Sequence, residues 1–192
     1  FLRAKQEIAS LSAQNSQATF GFNKFSDWTE EEYSQLLGYR ADIEREHIHS
    51  QTLDESVVNG PVDWRSQGKV NAVKNQGSCG SCWAFSAVTA MESAHAIKTG
   101  SLVRMSEQMV VDCSRSNYGC QGGWYYTAWS DVQKLGGVPT EASYPYTGRD
   151  GTCKKSSPVA NVTGSKKIRA NDPAQIKAAL ASGPVSIALS AG

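Results

Sequence analysis

The chain has 192 residues and a mass of 20.7 kDa, which suits one domain with a short appendage. Hydrophobic residues at 40% and charged residues at 19% allow a packed core and exclude a disordered tail. A net charge of +1, with no apolar run near the roughly 18–20 residues of a bilayer span, gives no sign of a nucleic-acid or membrane partner.

Charge is unevenly spread. Residues 1–60 hold 5 Lys+Arg and 10 Asp+Glu, a net of −5, and residues 61–192 carry +6. An acidic front on a basic remainder implies attraction between the two. The periodicity of Phe1, Ala4, Ile8 and Leu11 predicts a helix over residues 1–14. Gly21 to Phe25 reads as extended or turn-like. Thr29 with Glu32 three residues on forms a capping box for a short helix that Gly38 ends. Residues 40–60 are polar and aperiodic, a linker open to proteolysis. Helices are predicted over Cys82–Lys98, stopped by Gly100, and from the cap Ser106 to Cys113. Further helices are predicted over 124–135 and from Asp172-Pro173 to about Ala181, followed by a strand over Val185–Leu189.

The five cysteines, at 79, 82, 113, 120 and 153, are an odd number, so two disulfides leave one thiol free. Disulfides imply an oxidising compartment. Phe1 opens the chain without Met or signal peptide, so a leader has been removed or the sequence is partial.

The chemistry concentrates in Gln76-Gly77-Ser78-Cys79-Gly80-Ser81-Cys82-Trp83. Gly77 and Gly80 permit a tight turn, and Cys82 falls at a helix start, where unpaired N–H groups and the positive dipole end favour an anion. The thiolate is the nucleophilic form of cysteine, so the placement suits attack on a carbonyl. Gln76 can offer its side-chain amide to the same point as the Cys82 backbone N–H, which together make an oxyanion hole. A C-x-x-C pair also serves thioredoxin-like redox sites and zinc sites. The first needs a preceding strand in a βαβ unit and the second a second close pair, and neither is visible.

This segment resembles the active-site run of papain-like cysteine proteases. Pro61-Val62-Asp63-Trp64-Arg65, Ser106-Glu107-Gln108, Gly119-Cys120-Gln121-Gly122-Gly123 and Tyr144-Pro145-Tyr146 extend the resemblance. It implies an α+β papain-like fold: mainly the helical left domain plus the start of the β-rich right domain, preceded by a helical inhibitory propeptide. Cys82 is then the nucleophile and Gln76 the oxyanion donor. Of three possible pairings of the other cysteines, the family pattern selects Cys79–Cys120 and Cys113–Cys153. Gly122 and Gly123 let a substrate backbone approach as an added strand. Trp124, Tyr125 and Ala188 are implied to line the pocket for the second residue before the scissile bond. No cofactor or metal is implied, and the expected partners are peptide or protein substrates, with a monomer in a lysosome, a vacuole or outside the cell.

Gly21-x-Asn23-x-Phe25-x-Asp27 resembles a motif of cathepsin L-like propeptides, although Ala4 and Ser12 stand where the adjoining helix pattern has asparagine. The resemblance implies a propeptide and linker over residues 1–56 and a peptidase domain over 57–192. Such a segment crosses its own cleft against the substrate direction. Acid, by protonating carboxylates among Asp27, Glu30, Glu31 and Glu32, is expected to weaken its docking, with cleavage within Thr52–Gly60.

The chain has three histidines. His47 and His49 fall in the linker, where an H-x-H pair is either a metal site or simply solvated. His95 is 13 residues along the helix from Cys82, about 20 Å at helical rise. The family's base lies some 130–150 residues past the nucleophile. The chain is therefore expected to be a fragment that is inactive alone. Its alternatives are a truncated inhibitor built on the propeptide-like front, and an oxidoreductase with Cys79 paired to Cys82. Asn161-Val162-Thr163 is the single N-glycosylation sequon, meaningful in a secreted chain.

Overall fold

The computed structural model describes residues 1–43, 52–57 and 60–189. The chain divides into two compact units, Phe1–Gln35 and Leu36–Gly192. In the first, α1 (Leu2–Gln14) and α2 (Glu30–Ser34) are joined by a turn-rich segment. Thr29 and Glu32 close the capping box in both directions. Arg3 bridges to Glu7 at 3.0 Å and to Glu30 at 2.6 Å. Asn23 Oδ1 accepts from the Phe25 amide at 2.9 Å, and Phe25 packs edge-on to Trp28 and Tyr33. The Gly21 to Asp27 motif thus builds a hydrogen-bonded turn around an aromatic cluster. The second helix stops at Ser34, four residues before the glycine expected to end it.

The second unit is organised around α3 (Cys82–Thr99). Its buried positions Ala84, Ala87, Val88, Met91 and Ala96 recur at helical spacing and form one packing stripe. Gly100 takes φ 81°, a left-handed cap open to glycine without strain, and its N–H closes on Ala96. Against the stripe lie α4 (Glu107–Cys113), capped by the Ser106 hydroxyl on the Met109 amide, and α5 (Tyr125–Lys134). Val88, Val110, Val132 and Val138 are fully buried at their meeting. Each contributes on the order of 1.5–3 kcal/mol of transfer free energy. The last helix, α6 (Pro173–Ser182), starts from the Asp172 carboxylate bonded to the Gln175 amide at 3.1 Å. Gln175 also holds the 53–57 segment, accepting from Leu53 N and donating to Leu53 O and Glu55.

No continuous strand forms among the described residues; pairing is limited to the bridges Tyr39 to Gly123, Met105 to Thr140 and Val138 to Ala160. The strand expected over Val185–Leu189 is corrected by the structure. Residues 185–189 pair with no other backbone among the described residues, and Ile187 and Leu189 stand 66% and 69% exposed. A strand is a paired object, and an apolar run alone does not make one.

Candidate active site

Two disulfides frame the site. Cys79 is joined to Cys120 with Cα atoms 4.7 Å apart, and Cys113 to Cys153 at 4.8 Å; Cys82 remains a free, half-buried thiol. The first bridge ties the turn before α3 to the 118–123 loop, and Gly80 N–H donates to the Cys120 carbonyl at 3.0 Å beside it. Trp83, buried, donates its indole N–H to the Gly119 carbonyl at 3.1 Å. Cys82 opens α3 behind Ser81, whose carbonyl accepts the first helical bonds while no side chain caps the turn. The thiol therefore sits at the electropositive helix end.

The Ser81 hydroxyl is committed elsewhere, at 2.7 Å from Tyr146 Oη, which donates to the Gln76 carbonyl at 2.8 Å. Tyr146 thus links the Gln76 turn to the start of α3, and burial pushes its phenol pKa upward. Beneath the turn, Lys74 is sandwiched between Glu92, at 2.7 Å, and Glu107. The Lys74, Glu92 and Glu107 side chains are only 8%, 0% and 1% exposed. Burial raises the Glu107 carboxyl pKa against the pull of Lys74.

Residues 36–40 run across this site. Gln76 Nε2 donates to the Leu36 carbonyl at 3.0 Å and to the Cys79 carbonyl at 2.8 Å. The Gly123 N–H donates to the Gly38 carbonyl at 2.8 Å, and the Arg40 N–H to the Gly123 carbonyl at 3.3 Å, a parallel bridge. Gly38 is buried; a Cβ there would overlap the Gly80 carbonyl oxygen and lie 3.2 Å from Cys82 Sγ. Gly122, at φ 110°, makes the same accommodation from the other side, since a Cβ would come 2.8 Å from both Arg40 Cγ and the Gly38 oxygen. At Gly123 a Cβ would strike the Trp83 ring.

Cys82, Gln76, Gly122 and Gly123 are brought together. Trp124 is the buried residue preceding α5, its ring 5.0 Å from Tyr39 and 4.3 Å from Tyr125. Ala188 is exposed in the stretch after α6. His95 lies well along α3 from Cys82, and His47 and His49 fall outside the described residues. The sequence alone marks Gly38 only as a helix stop and gives no role to Leu36, Lys74 or Glu92. Only the steric demand of a chain laid against Gly80 and Gly122 exposes Gly38 as a site residue.

Cys82 is thus a free thiol at a helix start, with the Gln76 side-chain amide in the turn before it and Gly123 paired to the backbone of residues 38–40. The family description "Papain family cysteine protease" matches residues 58–192. The senescence-specific cysteine protease SAG12 of Arabidopsis thaliana is 39% identical over 182 residues, 88% of this chain and 53% of that protein. Procathepsin L of Rattus norvegicus is 42% identical over 181 residues, 90% of this chain and 53% of its own length. Among solved structures, a recombinant stem bromelain precursor superposes with TM-score 0.83 at 34% identity, covering 94% of this chain and 60% of that one. Procathepsin L 3 from the larval midgut of Tenebrio molitor gives TM-score 0.77 at 30% identity, covering 93% and 60%. The chain belongs to the papain family of cysteine proteases. It spans about half the length of the curated relatives it matches.

Proposed function

We propose that Cys82 is the nucleophile of a cysteine endopeptidase made as a zymogen, with residues 36–43 forming part of the segment that silences it. The observation that carries this reading is the pair of bonds from Gln76 Nε2 to Leu36 O and from Gly123 N to Gly38 O, over the Cys82 sulfur. They occupy the donors that a substrate backbone would use.

With that segment removed, the Cys82 thiolate attacks the scissile carbonyl carbon and a C–S bond forms. The resulting oxyanion accepts from Gln76 Nε2 and the Cys82 N–H. Collapse breaks the C–N bond, the amine leaves with a proton from the general acid, and water hydrolyses the thioester. The base that shuttles the proton is assigned to sequence outside these 192 residues, in keeping with relatives about twice as long. His95, about 20 Å along α3, is too far to serve. The 192-residue chain alone is accordingly expected to be inactive.

The propeptide and linker extend through residue 56 and the peptidase domain begins at 57, a division that the family match from residue 58 supports. Substrates are peptides or proteins carrying an apolar side chain that meets Trp124, with Ala188 joining that pocket once the Val185–Leu189 segment gains its pairing partner. The enzyme is read as a monomer of a lysosome, a vacuole or the exterior, consistent with two disulfides. The inhibitor alternative loses support because residues 36–40 lie in the cleft of their own unit. The test is hydrolysis of a fluorogenic peptide by the full-length protein before and after acid processing, with Cys82→Ala in parallel. Activity should appear only on processing and vanish in the variant. Hydrolysis by the processed Cys82→Ala protein would refute the reading.

A further inference from the structure

Behind the glycine edge lies a buried carboxamide to which the site described above gives no role. Asn117 is 7% exposed, and both of its side-chain polar atoms are engaged. Its Nδ2 donates to Ser114 Oγ at 2.8 Å, and its Oδ1 accepts from the Trp124 amide at 2.7 Å. The Thr127 hydroxyl lies 3.0 Å from the same oxygen. Ser114 Oγ in turn donates to Asp131 Oδ2 at 2.7 Å. The Asp131 carboxylate also takes the Ser116 amide at 2.9 Å and the Ser116 hydroxyl at 3.0 Å.

The network runs in one direction. A carboxylate only accepts, so the Ser114 hydroxyl gives its proton to Asp131 and offers Asn117 a lone pair. That places the Asn117 NH2 on the Ser114 side and turns Oδ1 toward α5 and the glycine edge. Asn117 thereby ties the loop after α4 to the start of α5, and Gly122 and Gly123 are strung between the two. The contact with Gly123 is close: a Cβ there would come 2.5 Å from Asn117 Oδ1 and 2.7 Å from Trp83 Cδ2. Gly123 is seated on the carboxamide and the indole, while its N–H and carbonyl pair with Gly38 and Arg40.

We infer that Asn117 is a positioning residue of the peptidase site, holding Gly123 and Trp124 in the register that a substrate backbone meets. It touches no reacting atom and acts through Gly123. The inference rests on the reading of Gly123 as the substrate edge. Its effect falls on peptide binding, alike in ground state and transition state, and not on attack by Cys82. Truncating Asn117 leaves the Trp124 amide a buried donor without a partner, so the edge shifts rather than keeping its place.

The test is hydrolysis of a fluorogenic peptide by the processed full-length protein, with KM and kcat read apart. Asn117→Ala should raise KM at least about tenfold and leave kcat within about twofold of wild type. Iodoacetamide is too small to use the glycine edge and should alkylate Cys82 in the variant at the wild-type rate. Ser114→Ala keeps Oδ1 on Trp124 but cuts the link to Asp131; it should raise KM about threefold, and it carries the test if Asn117→Ala does not fold. Val132→Ala, in the buried core on the same helix, lowers stability without touching the network and should leave KM unchanged. Unchanged KM in Asn117→Ala and Ser114→Ala, or a fall in kcat at constant KM, would overturn the inference and leave Cys82 as nucleophile. An equal rise of KM in Val132→Ala would overturn it too, as the signature of general loosening. Wild type that fails to hydrolyse the peptide would overturn the peptidase reading and this inference together.

Discussion

Replacing Lys74 by Met removes the single cation between two carboxylates that are almost wholly withdrawn from water. The Met side chain keeps most of the volume, so the loss is electrostatic. Breaking a buried pair by deleting one partner costs about 3–5 kcal/mol, because a charge is left uncompensated. Here Glu92 retains the Met105 amide at 2.7 Å, while its Oε2 is buried without a partner, and Glu107 loses its ammonium. The upper half of that range is therefore expected at pH 7. In urea, with a slope of roughly 2–3 kcal/mol/M, the midpoint should fall by more than about 1 M. The deficit also depends on pH in a defined direction. The Glu107 pKa is raised by burial above its ordinary 4.5, so the folded state holds its proton more tightly than the unfolded state does. This group's stability contribution is complete below the unfolded pKa of 4.5 and is lost as pH rises through the folded one. Without Lys74 the loss at neutral pH is larger, so the gap between variant and wild type should narrow as pH is lowered from 7 toward 4.5. Adding Glu107→Gln to the variant should recover part of the loss at pH 7. Urea titration followed by tryptophan fluorescence at both pH values measures this. A variant within about 1 kcal/mol of wild type at pH 7, or a deficit identical at the two pH values, would refute the reasoning.

Gly38→Val should force residues 36–40 off Gly80 and Gly122; iodoacetamide should then alkylate Cys82 at least about tenfold faster, with no such rise for Leu37→Val, an exposed neighbour. Replacing Cys113 and Cys153 together by Ala opens a closure spanning 40 residues, which by chain entropy costs about 4 kcal/mol in thermal or urea unfolding. Asp63 is held down to about 2 by its hydrogen bonds to Arg65. Its contribution is complete above the unfolded pKa of 3.8 and lost as pH falls through about 2; a carboxyl NMR titration of Arg65→Ala should return the midpoint toward 3.8.

The parts of the fold and of the site that sequence made legible are those written locally. Cys82 at a helix start, Gln76 in the turn before it, the Thr29–Glu32 box, the Gly100 cap and the Asp172-Pro173 start all rest on residues within one or two turns of each other. The cysteine pairing needed the family pattern, since separations of 41 and 40 residues carry no local signal. The charged sandwich was hidden for the same reason, with Lys74 lying 18 and 33 residues from its carboxylates. Gly38 was misread because a glycine near a helix end has a standard local explanation. The clash it avoids is with a backbone oxygen about forty residues away. The Val185–Leu189 segment has the composition of a strand, but pairing depends on a second backbone, which composition does not supply.

The most direct measurement is active-site labelling of the processed full-length protein with a thiol-directed epoxysuccinyl peptide, followed by mapping of the modified residue. The account predicts one label per molecule, on Cys82, with peptide hydrolysis falling in proportion to labelling. Hydrolysis that persists after Cys82 is fully labelled, or that is lost while the label sits elsewhere, would contradict it.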